Sequence, residues 1–162
     1  GKTPVYYEDA AYTVVLRDGA KADGAHIKAE ANGSRLPTEA QWEYAARGGV
    51  PGTTTPWTYT YAGSNTIDDV AWYDRNAYDI GESNPAYGTH IVKTKAANVL
   101  GLYDMSGNVR EWCWEKYSTE SADRVVRGGS WYYTAVSCTV AARVNYYPGS
   151  RDSSIGFRVV SP

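Results

Sequence analysis

The sequence predicts an α+β domain in which much of the chain is irregular. One segment, which follows Arg35-Leu36-Pro37, carries the start and stop signals of a helix. From Gly48 onward Gly, Pro, Asn and Thr recur between short bursts of aromatic and β-branched residues, which argues against further long helices. Residues 124–131 and 155–161 have strand character and could pair in a small antiparallel sheet. With 162 residues, the chain is long enough for one domain, residues 1–162.

The first elements are predicted with unequal clarity. Residues 1–34 are weakly patterned, and VYYEDAAYTVVL indicates a short helix or strand before a loop rich in Gly, Asp and Asn. Thr38 then begins a helix, because its hydroxyl and the amide of Gln41 can form a capping box. Gly48 can end the helix in the left-handed conformation. The buried face would consist of Trp42, Ala45 and Ala46.

Residues 50–100 are predicted to form long ordered loops. Three aromatic residues in this stretch, Trp57, Trp72 and Tyr73, would hold the loops in place. Extended irregular backbone in a compact domain usually indicates function or an external clamp such as a metal.

The composition excludes some classes of partner. Aromatic residues make up 14% of the chain, with 15 Tyr, six Trp and a single Phe. This bias indicates interfaces with one polar end. The formal charge of −2 supplies no basic field for nucleic acid, and no apolar run approaches the length of a membrane span. We therefore expect neither nucleic acid as a partner nor membrane contact by this domain itself.

The segment 131–155 has the composition of a ligand-binding surface. It lies between two motifs, RGGSW at residues 127–131 and GFRVV at residues 156–160. Its interior has four Tyr but no Lys, Glu, Gln, Met or Trp. Tyr brings a large amphipathic contact area at low rotamer cost, whereas Ser, Gly and Asn adapt their hydrogen bonds. The segment is therefore predicted to bind a ligand.

Fifteen positions in this segment share a coding property. Each residue can be reached by changing only the two adenines of an asparagine codon, a route that cannot yield Lys, Glu, Gln, Met or Trp. The pattern indicates diversification but does not establish it alone. Since diversified positions must tolerate many side chains, we expect them on one exposed face, above Trp131, Ile155, Gly156 and Phe157. The fifteen are Tyr132, Tyr133, Thr134, Val136, Ser137, Ala142, Val144, Asn145, Tyr146, Tyr147, Gly149, Ser150, Asp152, Ser153 and Ser154.

Cysteine and histidine offer little catalytic material. Two cysteines, Cys113 and Cys138, exclude a disulfide scaffold and a Cys-rich zinc site. A bridge between them and a pair of buried thiols are both compatible with the sequence. His26 and His90 lie in separate loops without a recognisable metal or acid–base partner, so we interpret them as surface or structural residues.

Four motifs occur in a characteristic order and together span about residues 35–160. They are RLPTEAQWEYAARGG, NVLGLYDMSGNVREWCW, RVVRGGSW and GFRVV. In this order they resemble the formylglycine-generating-enzyme, or sulfatase-modifying factor, family. The resemblance implies a C-type-lectin-like fold. Domains of this family have a further N-terminal portion that residues 1–34 do not supply, so we expect an N-terminally truncated domain.

Within this family, the fixed motifs and the asparagine-codon pattern between them look like the variable proteins of diversity-generating retroelements, especially those of treponemes. This resemblance implies a non-enzymatic domain that presents a hypervariable face to an extracellular protein or glycan. It also implies an exported protein, lipid-anchored at the cell surface in its full-length form.

The enzymes of the family imply a rival function. The resemblance implies the chemistry of the aerobic enzymes of the family, which oxidise a substrate cysteine at a copper ion. In those enzymes, two closely spaced cysteines after the GGSW motif hold the copper. Thiolates are the soft ligands that Cu(I) prefers. This chain has only Cys138 in that segment, so we expect no copper and no oxidase activity. A sulfatase-modifying oxidase or a degenerate homologue is the alternative.

The motif D-M-S-G-N-V-R-E is a candidate calcium site by the same resemblance. The resemblance implies coordination by the side chains of Asp104 and Glu111 and by the carbonyls of Gly107 and Val109, all oxygen donors suited to a structural calcium ion. Alternatively, Asp104 closes an Asx turn and Glu111 accepts backbone N–H groups.

Several large side chains have expected structural roles. Arg110 stands where the family usually has an aromatic residue, and we expect it to be solvated or paired with Asp, or else to lie at the edge of a binding face. The tryptophans of the motifs are expected in the core, namely Trp42, Trp112, Trp114 and Trp131. Three arginines are expected to hold loops through carbonyls and carboxylates, namely Arg143, Arg151 and Arg158.

Overall fold

The computed structural model of the protein describes residues 1–49 and 57–161. Two short helices and six strands confirm the predicted α+β class. The helices are α1 (Glu39–Ala46) and α2 (Ile67–Val70). The strands are β1 (Tyr6–Tyr7), β2 (His26–Ile27), β3 (Arg110–Lys116), β4 (Arg124–Arg127), β5 (Arg143–Tyr146) and β6 (Ile155–Gly156). Short 3₁₀ helices lie at Gly19–Gly24 and Ala135–Cys138, and a π-helical turn lies at Asp74–Tyr78.

Helix α1 begins as its sequence predicts. The backbone N–H of Gln41 donates to the Thr38 hydroxyl at 3.1 Å, and the Thr38 N–H donates to Gln41 Oε1 at 3.0 Å. This capping box satisfies two N–H groups that the first turn would otherwise leave unpaired. Gly48 follows the helix with φ of 87°. Trp42 and Ala46 are fully buried on the inner face.

The main sheet has the order β5-β4-β3-β6. Strands β3, β4 and β5 pair antiparallel, whereas β6 pairs parallel with β3. The predicted pairing of 124–131 with 155–161 is therefore wrong, because β3 lies between these two segments. Both segments also contribute shorter strands than predicted. β3, the central partner, alternates buried Cys113 with half-buried Trp112 and Trp114.

The core contains two clusters of buried side chains, and each holds one cysteine. Cys113 packs with Trp42 and Met105 between α1 and the sheet. Cys138 packs with Ala71 and Tyr73. Both thiols are free and fully buried, so the structure has no bridge between them. Of the four motif tryptophans, Trp42 and Trp131 are buried as predicted, but Trp112 and Trp114 are only half-buried.

Buried and half-buried ion pairs fasten α1 to the sheet. Arg127, with a side chain 2% exposed, donates to Glu39 at 2.8 Å and to Glu43 at 2.6 Å. Arg143 donates to Glu39, and Arg158 donates to the carboxylate of a residue on β3. These contacts confirm the expected roles of Arg143 and Arg158. The contacts of the described ranges give Arg151 no such role.

The long middle segment is irregular and held by its aromatic residues, as predicted. Trp72 stacks on His90 with ring centroids 3.6 Å apart, and Tyr73 is buried. Trp57 packs edge-on against Tyr44. The same prediction for residues 50–56 lies outside the described residues. Within the described ranges, no helix has the length and apolar character needed to cross a membrane.

Candidate ligand-binding face

Two glycines let the segment 131–155 fold closely over the sheet. Gly128 and Gly129 have φ of 93° and 67°, a conformation that L side chains rarely adopt. A Cβ on Gly129 would lie 2.6 Å from Cys138 Sγ and 2.7 Å from the Ser137 carbonyl oxygen. The RGGSW motif is thus explained by a close backbone approach at the base of the segment.

The fifteen predicted contact positions, here called the variable face, are nearly all accessible to solvent. Eight are exposed, six are half-buried and Ser154 alone is buried. Trp131, Cys138 and Val140 lie buried within the same segment. The expectation that Trp131 lies beneath the face is confirmed. Whether the fifteen side chains contact a ligand stays a prediction.

The residues that follow the face are less buried than expected. Ile155 and Gly156 are half-buried, and the expectation for Phe157 is wrong because this side chain is 69% exposed. The reason is the position of β6, which pairs with β3 on one side and forms the edge of the sheet. Phe157 directly follows this edge strand, and the chain pairs with another segment again at Val160, which bridges to Arg35.

Arg110 is buried beneath side chains of the variable face. Its guanidinium carbon lies 3.7 Å from the ring centroid of Tyr133 and 4.8 Å from that of Tyr146, and Nη1 donates to the Tyr146 hydroxyl at 2.9 Å. The residue is 4% exposed and takes part in none of the ion pairs of the described ranges. The expectation of a solvated or Asp-paired arginine is therefore wrong. Its alternative, a place at the binding face, agrees with the structure.

Tyr133 and Tyr146, the two tyrosines that enclose the Arg110 guanidinium, differ in acidity. A hydrogen bond with Tyr146, together with the hydrogen bond and charge of Arg110, lowers the pKa of Tyr133. The hydrogen bond with Tyr133, followed by burial, raises the pKa of Tyr146. The two hydroxyl oxygens lie 3.5 Å apart, and either hydroxyl could donate to the other.

Two cavities open on the variable face, one on each side of Tyr133. The first, of about 220 Å³, is lined by Arg110, Tyr133 and eight other residues, and we call it the Arg110 cavity. The second, of about 280 Å³, is lined by Trp131, Tyr132, Tyr133, Asp152, Ser153 and Ser154. Nine of the fifteen predicted positions line one cavity or the other. The predicted surface is thus concave in two places.

An aromatic cluster supports one side of the face. The ring of Tyr132 lies 4.4 Å from that of Tyr78, in an edge-to-face arrangement. Tyr87 packs edge-on against Trp131 at 5.2 Å. Sequence reasoning missed Tyr78 and Tyr87. They lie in the irregular middle segment, where no local pattern indicates a contact with the segment 131–155.

The other side of the face contacts the β3–β4 connection and the N-terminal part of the chain. Asn145 donates to Asp123 at 2.5 Å, and the Tyr147 hydroxyl donates to the Ala20 carbonyl at 3.4 Å. Gly149 also approaches Ala20, since a Cβ there would lie 3.2 Å from the Ala20 methyl group. These positions are therefore partly packed, although the Tyr147 side chain remains 50% exposed.

The candidate calcium residues are engaged by protein groups. Asp104 accepts the backbone N–H of Lys93 at 2.8 Å. Glu111 is buried and accepts two hydrogen bonds from Arg158, each at 2.6 Å, and one from the Trp42 indole at 2.6 Å. The expected backbone donors to Glu111 are therefore replaced by side chains.

This arrangement bears directly on calcium. Asp104, Val109 and Glu111 line one cavity of about 390 Å³, and Gly107 lies nearby with φ of 75°. The guanidinium bound to Glu111 already neutralises its charge, so the residue does not fit a calcium ligand while that ion pair lasts. In the described ranges, no three His, Cys, Asp or Glu residues cluster as metal ligands. Calcium coordination stays a prediction, and it requires Glu111 to leave the arginine.

The thiols are unsuited to copper chemistry as they stand. Burial raises the pKa of Cys138 to about 12 and also raises the pKa of Cys113. A thiolate, not a thiol, is the metal ligand and the nucleophile. Since the two thiols lie in different core clusters, they do not fit a two-thiolate centre.

Comparison with known proteins identifies the family. A family model described as the sulfatase-modifying factor enzyme 1-like domain matches residues 3–162. The chain belongs to this family. This finding confirms the resemblance drawn from the four motifs.

Relatives within the sulfatase-modifying factor family include enzymes and proteins named otherwise. The chain is 45% identical over 141 residues to the chaperone protein LppX of Paenibacillus barcinonensis, covering 79% of this chain and 47% of the relative. It is 35% identical over 136 residues to inactive C-alpha-formylglycine-generating enzyme 2 of Bos taurus, covering 80% and 44%. It is 35% identical over 144 residues to the formylglycine-generating enzyme of Streptomyces coelicolor, covering 78% and 46%. The chain spans about half the length of these relatives.

Solved structures support the fold and the second resemblance. Treponema denticola variable protein 1 matches with a TM-score of 0.73 and 34% identity over 98% of this chain and 62% of that chain. The crystal structure of CarF matches with a TM-score of 0.79 and 33% identity over 99% and 59%. The α+β, C-type-lectin-like fold is thereby confirmed. So is the resemblance to a variable protein.

Proposed function

We propose that this domain is a non-enzymatic ligand-binding module whose variable face recognises a protein or glycan outside the cell. The observation that carries the proposal is that fourteen of the fifteen positions singled out by their codons are exposed or half-buried. Trp131, Cys138 and Val140, which do not belong to the fifteen positions, are buried in the same segment. A surface that varies above a constant core is what diversification requires, because core substitutions typically cost about 2–5 kcal/mol.

Localisation at the cell surface is part of this proposal. It is supported by the likeness to a treponemal variable protein and to LppX. A lipid anchor on the full-length protein would place the variable face in contact with extracellular ligands.

The diversification is tested by sequencing the DNA around the gene. We expect a near-identical repeat of the coding sequence for the variable segment, next to a reverse transcriptase gene. The repeat should differ from the gene only at its adenines, and at the codons of the fifteen positions. A repeat with differences at other bases would contradict the proposal.

Ligand binding is tested on arrays of extracellular proteins and glycans. The probes are the wild-type domain and the double variant Tyr132→Ser/Tyr147→Ser, in which two half-exposed rings are removed. Aromatic anchors at interfaces often contribute about 2 kcal/mol or more each, so the variant should lose at least about 100-fold in affinity. A matched control is Tyr44→Ser, which removes a similarly exposed ring from α1. Equal binding by all three proteins would move the site off the variable face.

An oxidase is the alternative from another class, and some relatives bear enzyme names. Against it, Cys138 is the only cysteine after RGGSW and its thiol is buried. We expect no oxidation when the protein is incubated with copper, oxygen and a peptide containing a CxPxR motif. Mass spectrometry would detect the aldehyde. Aldehyde above a no-protein control would overturn the non-enzymatic proposal.

A chaperone function is a second candidate. The 45% identical relative is named a chaperone, and Val92 and Phe157, 62% and 69% exposed, line one cavity. Exposed apolar surface of this kind can hold unfolded chains. The test is light scattering of a heat-denatured model protein, with Phe157→Ser as the variant. Suppressed aggregation that the variant loses would favour this function over recognition by the variable face.

A further inference from the structure

We propose that the Arg110 cavity receives a carboxylate on a short apolar stem, such as a glutamate side chain of a polypeptide ligand. This inference rests on the proposed function and specifies the ligand chemistry of one part of the face. Its starting point is a buried cation that forms no ion pair within the described residues.

The guanidinium of Arg110 is poorly satisfied by the protein. It can donate five hydrogen bonds. One is well formed, to the Tyr146 hydroxyl at 2.9 Å, and one to the Ser154 hydroxyl is stretched to 3.5 Å. The buried Nε has no partner in the described ranges. A buried charge is costly unless it is paired and hydrogen-bonded, so an incoming anion would gain more here than at an exposed arginine.

Asp152, an acidic residue of the variable face, does not pair with Arg110 directly. Asp152 accepts the backbone N–H of Ser154 at 2.7 Å and its hydroxyl at 2.5 Å. It is therefore linked to the guanidinium only through Ser154. These hydrogen bonds lower the pKa of Asp152, so it stays ionised, but they also hold it on the far side of the hydroxyl. The charge of Arg110 remains available to a ligand.

The lining of the Arg110 cavity matches an apolar stem with an anionic end. Its wall includes the aliphatic side chains of Val126, Val136, Ala142 and Val144, and none of its lining residues is acidic. The second cation in the wall, Arg143, is already paired with a glutamate on α1. Arg110 is therefore the charge that a ligand would meet at the end of an apolar pocket. A bidentate contact from a planar guanidinium favours a carboxylate.

The size of the cavity argues for a single side chain. Its volume of about 220 Å³ lies below the range of about 300–1,000 Å³ that is usual for small-molecule sites. It opens on a face with a second cavity beside it. One side chain of the ligand would fill the Arg110 cavity. The rest of a larger ligand would contact the surrounding tyrosines and the second cavity. Five of the ten lining residues belong to the variable face, so diversification would change the fit while the arginine stays fixed.

The test uses butyrate, which has the apolar stem and carboxylate of a glutamate side chain, and the neutral isostere butyramide. The Nε–Hε signal of Arg110 is followed by two-dimensional NMR on the ¹⁵N-labelled protein at constant ionic strength. The signal is assigned from its loss in Arg110→Lys. We expect a saturable shift with butyrate and at least about tenfold weaker binding of butyramide. Equal binding of the two compounds, or no saturable shift with butyrate, would overturn the proposal.

A matched pair of variants locates the binding. Ala142→Tyr should fill the cavity and weaken butyrate binding at least about tenfold. Ala40→Tyr places the same ring at an exposed position of α1, outside the variable face, and should leave binding unchanged. The dispersion of the amide spectrum reports whether each variant is folded. If Ala142→Tyr is unfolded, Ser137→Tyr replaces it. Unchanged butyrate binding in a folded plugged variant would also overturn the proposal.

The outcome can be separated from that of the proposed function. A ligand from the array whose binding requires Tyr132 and Tyr147 but does not require a carboxylate would support the variable face and overturn the role of Arg110. Array binding insensitive to the face, together with saturable butyrate binding, would leave an anion cavity without the proposed recognition function.

Discussion

Among single residues, Arg110 divides the four tyrosines of the variable segment into two pairs. Tyr133 and Tyr146 enclose the guanidinium, whereas Tyr132 and Tyr147 are about half exposed. Tyr133→Ser/Tyr146→Ser should destabilise the fold by about 2 kcal/mol or more, because a desolvated cation loses both its rings and its hydrogen bond. Tyr132→Ser/Tyr147→Ser should cost about 1 kcal/mol, mainly from the contact with Tyr78. Urea unfolding of the two double variants measures the difference. Equal losses of unfolding free energy would show that Tyr133 and Tyr146 do not stabilise Arg110.

His90 gives the protein a pH-dependent stability. Burial lowers the pKa of His90 from its ordinary value of 6.5, because the charged ring is poorly solvated beside Trp72. Between the folded pKa and about 6.5, the unfolded chain binds more protons than the folded one. The stabilisation is therefore complete above about pH 6.5 and is lost as the pH falls toward the folded value.

This dependence is checked with two histidine variants. His90→Phe keeps a ring on Trp72 but cannot titrate, so its melting temperature should fall less than that of the wild type between about pH 7 and about pH 5. His26→Phe alters an exposed histidine and should keep the wild-type pH profile. Parallel profiles for the wild type and His90→Phe would assign the pH dependence to other groups.

The environment of Arg110 could not be predicted from its neighbours in the sequence. The sequence marks the position as unusual, because an arginine replaces the aromatic residue of the family motif. Its surroundings depend on Tyr146, 36 residues away, and on Tyr133 across the same face. No local pattern specifies such contacts. Arginine side chains are usually solvated, so the sequence predicts an exposed residue at this position, although the fold buries it.

At the level of elements, the tight turn at the base of the variable segment depends on glycine for two reasons. Gly129 has φ of 67°, and a Cβ there would collide with Cys138 and Ser137. Gly129→Ala should therefore cost about 2–5 kcal/mol, from backbone strain of about 1–2 kcal/mol and overpacking of about 1–3 kcal/mol. Gly81→Ala is the matched control, since φ is 84° but nothing lies within 4 Å of the added atom. Its cost should be the backbone strain alone.

Chemical unfolding of the two alanine variants separates steric overlap from backbone conformation. A loss for Gly129→Ala no larger than for Gly81→Ala would mean that the segment 131–155 can move away from the sheet without cost. The variable face would then lack the rigid support that a preorganised binding surface needs.

Helices and strands could be predicted where the sequence signal lies within the element itself. Helix α1 is predicted correctly because Thr38 and Gln41 form two reciprocal hydrogen bonds within one turn. The sheet order was not found, since β6 reaches β3 through a parallel pairing of distant segments. Strand β3 carried an overlooked signal, the alternation of Trp112 and Trp114 with Cys113. Strand β5 carried none, because its exposed face belongs to the variable segment.

For the whole molecule, one buried carboxylate connects the helix, the central strand and the C-terminal segment. Glu111 on β3 accepts hydrogen bonds from Trp42 on α1 and from Arg158 after β6. Removing one partner of such a buried pair leaves a charge without compensation. The motif around Glu111 therefore stabilises the entire scaffold below the variable face, whether or not it also holds a metal.

Calcium binding, as the family resemblance implies, would act on the same global stability. If the ion is held by Asp104, Glu111 and the carbonyls of Gly107 and Val109, a chelator should lower the free energy of unfolding by about 1–3 kcal/mol at calcium concentrations of tens to hundreds of Kd. Thermal melting with calcium and with excess chelator measures this change. A magnesium-only sample is the control, since Mg²⁺ demands a smaller, octahedral site.

Asp104→Ala distinguishes the ion from the hydrogen bond that the structure contains. The variant loses the acceptor for the Lys93 N–H in either case, so it should be less stable than the wild type by about 1 kcal/mol. With a bound ion, the loss should be larger in calcium than in chelator, and the variant should no longer respond to calcium. A wild-type melting curve that calcium and chelator leave unchanged would contradict the metal prediction. The ion pair between Glu111 and Arg158 would then be the interaction that closes this part of the fold.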